Sequence, residues 1–355
     1  NLRDTTVNGL LKGTIKNVTN LADGGTSEGG PEIIEFFSAV GLASKETRLV
    51  TLSSSQIAQL NIANPRLWWP NLVGKQNLYD LKLEFEIAGT VSDNATVRFG
   101  IREVSSYLSA NNYRIFKVNG QNILVRGGGW VPDMMLRPLP ERKEAEIKYA
   151  RDMNLNAIRM EGKLETNEVW ELCDKYGIMV MAGWCCCSHW EEWDLWDATD
   201  ITVAEKSQKA QILRLRNHPS LLVWLYASDG PPPSWMEEKY LNILNTYAPT
   251  LPRLSSATEE STSLTGYTGV KMRGPYSYEP PVYYYLGQSP GGAWGFGTEM
   301  GPGENVPPIE SLREMLPEDH LWPIDSYWNY HCGTAGSEFS NLNIYTNALN
   351  SRYGT

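Results

Sequence analysis

The chain has 355 residues, of which 41 are acidic and 31 basic, giving a formal net charge of −10. At roughly 100–200 residues per domain, this length suggests two domains or one large barrel with an appendage. The composition, 41% hydrophobic and 20% charged, excludes wholesale disorder. An acidic surface repels phosphate backbones, and no apolar run reaches the roughly 18 residues of a membrane helix, so we expect neither nucleic acid nor membrane as a partner.

Aromatic residues with a polar edge are abundant, because the chain has 13 Trp and 18 Tyr but only 7 Phe. Such residues suit partly wet binding surfaces, among which sugar-binding clefts are common. Burial in a large core explains the same count equally well, so composition alone does not decide between the two.

Cysteine and histidine residues have no metal-ligand spacing. The five cysteines include an adjacent run at 185–187, and an odd count of this kind is no disulfide framework. We predict buried free thiols, with one bridge inside the run as the alternative. His218 is predicted to be a structural residue under a strand. The glycines at 127–129 likewise lack the context of a dinucleotide-binding motif, so we expect neither a metal ion nor an organic cofactor.

Residues 1–103 have the pattern of half-buried β-strands. Apolar and polar side chains alternate over residues 78–87 and 95–101, and a third strand is predicted over 47–52. Turn residues such as Asn64 separate these segments, and no convincing helix lies among them. The pattern predicts an immunoglobulin-like β-sandwich, which we expect to be incomplete.

From residue 104 onwards, short apolar strands alternate with helices. Strands are predicted over residues 123–126, 157–160, 178–181, 221–226, 282–285 and 293–296. Helices are predicted over residues 141–154, 165–176, 203–217, 235–247 and 309–316. Continuous apolar strands between helices indicate a parallel sheet with both faces covered.

Both an open doubly wound sheet and a (β/α)8 barrel fit this alternation. The barrel is favoured because acidic and aromatic residues follow the successive strands, and a barrel brings those positions together at one mouth. Residues 104–355 are also close to the roughly 250 residues that a TIM-type barrel needs. The last strand is not recognisable after Pro317, so we predict a truncated barrel. The residues that follow the strands are Asp133, Glu161, Trp184, Asp229 and Glu299.

Two carboxylates, Asp229 and Glu299, follow apolar strands late enough in the barrel to face one another. Glycoside cleavage needs such a pair, and retaining enzymes hold the two groups roughly 5–5.5 Å apart. Capping of a helix or pairing with an arginine explains each carboxylate equally well. The spacing alone leaves both interpretations open.

Residues 184–193 are dense in aromatic and acidic side chains. The stretch would be unusual as core, because polar and acidic neighbours interrupt its apolar residues. We predict a loop that walls a sugar-binding site, with Trp184 as a substrate contact.

Several motifs resemble glycoside hydrolase family two, which includes β-galactosidases, β-glucuronidases and β-mannosidases. The resemblance to its sandwich domain rests on residues 64–71, 77–81 and 99–103. The resemblance to its barrel rests on residues 116–129 and 159–162 and on the motif Arg216-Asn-His-Pro-Ser220. Together these motifs cover nearly the whole chain, and they imply a sandwich followed by a (β/α)8 barrel.

Ser228 and Asp229 stand where most members of that family have Asn-Glu. This pair is similar to the exo-β-D-glucosaminidase subgroup, which trims glucosamine from chitosan ends. The resemblance implies a retaining hydrolase of chitosan or other amino-sugar oligosaccharides, with Asp229 as general acid and Glu299 as nucleophile. Ser228 and Tyr283 are predicted substrate contacts within these motifs. The other motifs of the subgroup lie at residues 184–187, 271–276, 280–285 and 292–299.

Glucosamine is cationic, so its site is expected to hold carboxylates beyond the catalytic pair. Glu161 is the first choice for the ammonium contact and Asp133 the second. Pairing with Arg126 or Arg159 is the structural alternative for both. In the subgroup the position of Cys185 often carries an acid, which this chain lacks.

Two rival interpretations remain open. One is a β-mannosidase or endo-β-mannosidase of the same family, and the other is a non-catalytic carbohydrate-binding fragment. The family's preceding sandwich and its eighth strand are not recognisable, so we expect other pieces of the same polypeptide to complete the fold. We also expect poor stability in isolation. Sequons at Asn17 and Asn94 are compatible with secretion, and an extracellular location is expected.

Overall fold

The chain forms two compact units. The first comprises Asn1–Ser256 with Glu260–Thr268, and the second Ala257–Glu259 with Gly269–Thr355. The first unit includes both sides of the predicted boundary after residue 103, which stays a prediction. The computed structural model describes residues 1–19, 33–133, 135–137, 139–184, 186–276, 278–286, 292, 294–301, 306–331 and 342–354.

The first unit begins with a four-stranded antiparallel sheet. Its strands are β1 (Val7–Asn17), β2 (Ile33–Leu42), β3 (Tyr79–Ile87) and β4 (Thr90–Phe99). Their order in the sheet is β2-β1-β3-β4, and Ile15 is paired with Ile34 on one side and with Leu81 on the other. Phe36 and Tyr79 join these side chains in a small apolar core.

Two of the strands predicted in this region are confirmed and one is wrong. β3 and β4 match the strands predicted over 78–87 and 95–101, whereas residues 47–52 form no strand. The sequence did not predict β1 and β2. Gly13 of β1 lies under the ring of Phe36, where a β-carbon would come within 2.0 Å of the ring. Packing therefore requires the glycine that interrupts the apolar pattern.

A three-stranded antiparallel sheet follows, made of β5 (Val104–Leu108), β6 (Arg114–Val118) and β7 (Gln121–Ile123). The strand predicted over 123–126 is wrong, because β7 ends at Ile123 and residues 124–126 are not a strand. The next strand, β8 (Gly127–Trp130), consists largely of glycines. A β-carbon on Gly127 would lie 2.3 Å from the carbonyl oxygen of Ala157. The close approach of the neighbouring strand thus excludes a side chain at this position.

A five-stranded parallel sheet, whose three inner strands are buried, begins with β8. Its further strands are β9 (Ala157–Glu161), β10 (Met179–Gly183), β11 (Leu221–Leu225) and β12 (Arg253–Leu254). The five strands lie in the sequential order β12-β11-β10-β9-β8, and all neighbours are parallel. A doubly wound sheet reverses its strand order at a switch point, whereas barrel strands follow one another. The order therefore supports the barrel.

Four helices connect and cover these strands. They are α1 (Pro140–Asp152), α2 (Asn167–Tyr176), α3 (Ala198–Leu215) and α4 (Ser234–Tyr247), and each confirms a predicted helix to within a few residues. α2 ends at Gly177, whose φ of 74° is in the left-handed region that favours glycine. None of the helices in the described part of the chain has the length and apolar character needed to cross a bilayer. A short hairpin, β13 (Ser261–Thr262) and β14 (Gly266–Tyr267), completes this unit.

Some of the many tryptophan and tyrosine residues lie in the core. Trp170, Trp224, Tyr226 and Tyr240 are fully buried in the main apolar cluster between the sheet and its helices. Core burial therefore explains these residues, and a binding surface is needed only for the others.

The second unit contains α5 (Pro281–Leu286), α6 (Ile309–Met315), α7 (Ser326–Tyr330) and α8 (Leu342–Tyr353). The strand predicted over 282–285 is wrong, since it forms helix α5, and its first residue is a proline of the kind that favours the first helical turn. Residues 294–296, the described part of the last predicted strand, are not a strand either, although Gly297 makes an isolated parallel bridge to Lys271.

A buried ion pair connects α1 to the segment before α2. Lys143 Nζ lies 2.6 Å from Glu165 Oε1, and the two side chains are only 6% and 4% exposed. Trp130 Nε1 donates to the same oxygen over 3.0 Å. Burial alone would raise the pKa of Glu165, but the hydrogen bonds from Lys143 and Trp130 outweigh it and the pKa ends below its ordinary value of 4.5.

This depressed pKa makes a prediction about acid stability. A carboxyl whose pKa is lower in the folded state stabilises the fold above its unfolded pKa. We expect this stabilisation to be lost as the pH falls from 4.5 through the lower folded pKa of Glu165. Unfolding free energies between pH 7 and pH 3 should therefore depend less on pH in Glu165→Gln than in the wild type. An unchanged slope in the variant would contradict the assignment.

Candidate active site

Two strand ends bring together three of the predicted site residues. Glu161 is the last residue of β9, Ser228 and Asp229 follow β11, and β10 lies between the two strands. Parallel barrel strands end at one rim, so residues that follow them become neighbours. Accordingly, carboxylate oxygens of Glu161 and Asp229 lie within 4.8 Å of one another.

Arg159 and Ser228 orient Glu161. Arg159 Nη2 donates to Ser228 Oγ over 2.6 Å and to Glu161 Oε1 over 3.1 Å, and Ser228 Oγ donates to the same Oε1 over 3.1 Å. Arg159 and Ser228 are buried, whereas the Glu161 side chain is 35% exposed. The structural alternative for Glu161, pairing with Arg159, is therefore confirmed. The pairing uses Oε1, so Glu161 is held in place with part of its carboxylate open to solvent.

The cysteine run contributes to the same rim. The structure joins Cys186 and Cys187 in a disulfide, and Cys186 Sγ lies 3.2 Å from Glu161 Oε1. The prediction of free thiols is therefore wrong for Cys186 and Cys187, and the alternative, one bridge inside the run, is found. Cys173 is a free and buried cysteine. Burial raises the pKa of the Cys173 thiol, so this side chain is inert. Cys185 lies outside the described residues.

One group of described residues has atom types that metals bind, namely Glu161, Cys186, Cys187 and Asp229. Metal ions need cysteine as thiolate, and the disulfide removes both thiolates. The two carboxylates that remain suit an organic cation at least as well, because an ammonium group donates hydrogen bonds to carboxylate oxygens.

Glu191 is a site residue that the sequence analysis did not single out. Its Oε1 accepts hydrogen bonds from the backbone N–H groups of Ser228, over 2.5 Å, and Asp229, over 3.1 Å. Its Oε2 accepts from the N–H of Cys187 over 2.8 Å. These partners are backbone N–H groups, which every residue type except proline has, so the sequence does not show which acidic residue binds them. The acidic character of residues 184–193 was the signal that pointed to this segment.

Trp184 begins an aromatic segment beside this rim. Its ring stacks on Trp224 with centroids 6.0 Å apart, and it is half-buried. Further along, Trp190 and Trp193 each contact Trp196, with ring centroids 5.5 and 4.7 Å apart. Residues 186–196 contain only short 3-10 turns, in agreement with the predicted loop. A substrate contact at Trp184 stays a prediction.

Asp133 lies after β8 but is already paired. Arg137 Nε and Arg142 Nη1 lie 3.3 and 3.0 Å from its carboxylate oxygens. These are not the arginines that the sequence suggested, Arg126 and Arg159. The hydrogen bond from Arg137 holds the pKa of Asp133 below its ordinary value. Two guanidinium groups satisfy this carboxylate, and its predicted contact with an ammonium group stays a prediction.

Glu299 and Tyr283 lie in the second unit, and their predicted roles stay predictions. Glu299 is half-buried and follows Thr298, whose Oγ1 donates to the carbonyl oxygens of Ala257, over 2.6 Å, and Lys271, over 3.0 Å. These bonds fix the backbone just before the predicted nucleophile. Tyr283 is half-buried on helix α5 instead of on a strand.

Two domain models of one family match the chain. The model of glycosyl hydrolases family 2 matches residues 25–102, and the model of the TIM barrel domain of that family matches residues 114–251. The chain belongs to glycosyl hydrolases family 2. This confirms the predicted fold class, a β-sandwich followed by a TIM-type barrel.

Similar proteins agree with this assignment. The chain is 37% identical over 354 residues to an exo-β-D-glucosaminidase of Streptomyces avermitilis, covering 97% of this chain and 39% of the relative. It is similar to the crystal structure of the exo-chitosanase CsxA of Amycolatopsis orientalis, with a TM-score of 0.82 and 32% identity, covering 100% of this chain and 40% of that one. A mannosylglycoprotein endo-β-mannosidase of Lilium longiflorum is 28% identical over 303 residues, covering 73% of this chain and 30% of the relative. The chain thus spans about two fifths of the length of the glucosaminidases that it matches.

Proposed function

We propose that the chain carries the catalytic residues of a retaining exo-β-D-glucosaminidase, which removes β-1,4-linked glucosamine from the non-reducing end of chitosan or chitooligosaccharides. The observation that carries the proposal is the pair of carboxylates of Glu161, at the end of β9, and Asp229, after β11, which lie within 4.8 Å of one another. Protonation of the leaving group needs one acid there, whereas a second carboxylate suits a cationic sugar. The exo-β-D-glucosaminidases among the similar proteins support the same substrate class.

The proposed reaction is a double displacement. Asp229 donates its proton to the glycosidic oxygen while the Glu299 carboxylate attacks the anomeric carbon, so that a glycosyl ester forms and the shortened oligosaccharide leaves. Asp229, now a carboxylate, then takes a proton from water as the water oxygen attacks the anomeric carbon. Glucosamine leaves in the β configuration, and both carboxyl groups return to their first state.

Glu161 is proposed to bind the ammonium group of the sugar. Arg159 and Ser228 hold it through Oε1, and among the described residues no hydrogen bond reaches its Oε2. An ammonium donor at this oxygen would complete the bonding of a half-buried carboxylate. The complexes of CsxA with PNP-β-D-glucosamine support an amino sugar as the class of ligand.

Product analysis tests the proposed function. The 355-residue chain and the complete gene product that contains it are incubated with chitosan oligosaccharides and with mannosyl oligosaccharides. Release of glucosamine monomers, first seen as the β-anomer by NMR, is the expected result. Equal rates on aryl glucosaminides and mannosides would contradict the substrate class, and binding of chitosan without hydrolysis would favour a non-catalytic carbohydrate-binding protein.

The ammonium contact makes a second prediction. A hydrogen bond to a charged group contributes about 1.5–3 kcal/mol, so Glu161→Gln should lower kcat/KM on an aryl glucosaminide by roughly 10- to 100-fold. The corresponding aryl glucoside, which has no ammonium group, should lose much less. Glu192→Gln, which changes an exposed carboxylate of the neighbouring loop, is the matched control. Equal losses on both sugars would show that Glu161 does not recognise the amine.

A further inference from the structure

Glu191 connects the loop after β10 to the backbone that carries the predicted acid. It is half-buried and lies in a 3-10 turn formed by Ser188–Glu191. One carboxylate oxygen accepts from the successive N–H groups of Ser228 and Asp229, and the other accepts from the N–H of Cys187. A single side chain therefore connects two segments that approach Glu161 from different strands.

These bonds fix the position of the Asp229 backbone. Hydrogen bonds to an ionised acceptor are shorter and stronger than neutral ones, and two of them act on adjacent peptide groups. An aspartate has one methylene fewer than a glutamate, so its carboxyl group has less freedom to compensate for a displaced backbone. The direction of the Asp229 side chain thus depends on the Glu191 carboxylate.

We infer that Glu191 is a positioning residue for the general acid. This inference rests on the proposed function, because it takes Asp229 to be the acid. Both oxygens of Glu191 are occupied by backbone donors, so the side chain acts through the backbone of residues 228 and 229. Loss of Glu191 would leave the acid present but misplaced relative to the glycosidic oxygen.

A misplaced acid has a specific kinetic signature. Departure of a sugar requires protonation of the glycosidic oxygen, whereas a dinitrophenolate leaves without it. Glu191→Ala is expected to lower kcat on a glucosamine disaccharide by about 100-fold, which a displacement of about 1 Å can produce. The same variant should lose less than about tenfold on the dinitrophenyl glucosaminide, because general acid catalysis contributes little there.

Three variants of the complete gene product test the inference. Glu191→Gln keeps one acceptor for the N–H groups of residues 228 and 229, so its loss should be smaller than that of Glu191→Ala. Glu192→Ala removes an exposed carboxylate from the same loop and should change neither substrate's rate. Hydrogen exchange of the peptide spanning residues 226–230 should be faster in Glu191→Ala than in the wild type, whatever the catalytic outcome.

The outcomes separate the two proposals. Equal losses on both substrates, or unchanged hydrogen exchange at residues 226–230, would overturn the positioning role of Glu191. If Asp229→Asn left hydrolysis of the disaccharide unchanged, the proposed function of Asp229 would be wrong. Faster exchange in Glu191→Ala would then still show that Glu191 holds this backbone, but without a catalytic consequence.

Discussion

Replacing Glu299, the proposed nucleophile, with glutamine is expected to lower kcat on a glucosamine disaccharide by on the order of 10⁴-fold or more, as removal of a catalytic nucleophile does elsewhere. The amide of glutamine cannot form the glycosyl ester, so the first displacement has no attacking group. The measurement is steady-state hydrolysis by the complete gene product, with glucosamine quantified by chromatography.

A matched control and a rescue distinguish loss of the nucleophile from loss of the fold. Glu310→Gln makes the same change at an exposed position of α6 and should keep the wild-type rate. A second variant, Glu299→Ala, removes the side chain and leaves room for azide to attack the anomeric carbon from the same side, so with azide it should form an α-glucosaminyl azide from an activated aryl substrate. If Glu299→Gln keeps its hydrolytic rate, the two-carboxylate mechanism is wrong, and the interpretation as a non-catalytic carbohydrate-binding protein gains.

Apolar runs predicted the three central strands of the parallel sheet, because these strands are buried. β10 and β11 are continuous apolar runs, β9 is an apolar run that Arg159 interrupts and Glu161 ends, and each was predicted to within a few residues. β1 and β8 were missed because packing places glycines in them, at Gly13 under an aromatic ring and at Gly127 against a carbonyl oxygen. Glycine weakens any strand pattern, so contacts made by the folded chain decided these two elements.

The candidate site was predictable only where side chains follow strands. Glu161 and Asp229 met this condition, and the structure brings them together. The partners of Asp133 were not predictable, since Arg137 and Arg142 reach it through the path of the loop before α1. Glu191 was missed for a different reason, because its partners are backbone N–H groups that no side-chain pattern reveals.

His218 was predicted to be structural, and its contacts confirm this role. Its Nδ1 lies 2.6 Å from Asp174 Oδ2, and the N–H of Ser220 donates to Asp174 Oδ1 over 3.0 Å. Trp68 Nε1 donates to the carbonyl oxygen of Asp174 over 2.8 Å. The side chain of the buried Asp174 thus connects the turn before β11 to helix α2. Its backbone carbonyl accepts the hydrogen bond from Trp68, which lies in the N-terminal part of the chain.

Arg102 stabilises the same turn from another side. It donates to the carbonyl oxygens of Pro219, over 2.8 Å, and Leu221, over 2.6 Å. Burial lowers the pKa of Arg102 to about 10, and the nearby Asp174 carboxylate partly opposes this shift. Loss of the Asp174 charge would therefore affect the guanidinium as well as the two direct hydrogen-bond partners.

We expect Asp174→Ala to lower the free energy of unfolding of the first unit by about 3–5 kcal/mol. The substitution removes the hydrogen-bond partner of His218 and of the Ser220 N–H, and it removes the carboxylate near the buried guanidinium of Arg102. Asp174→Asn keeps an acceptor for the Ser220 N–H and should destabilise less. Glu171→Ala, at an exposed position of the same helix, is the control and should be nearly neutral. Urea unfolding followed by tryptophan fluorescence reports the effect, because Trp68 and Trp170 are fully buried in the folded unit. If Asp174→Ala shifts the midpoint of urea unfolding no further than Glu171→Ala, the hydrogen-bonded carboxylate does not stabilise the turn before β11, and packing of the surrounding apolar side chains does.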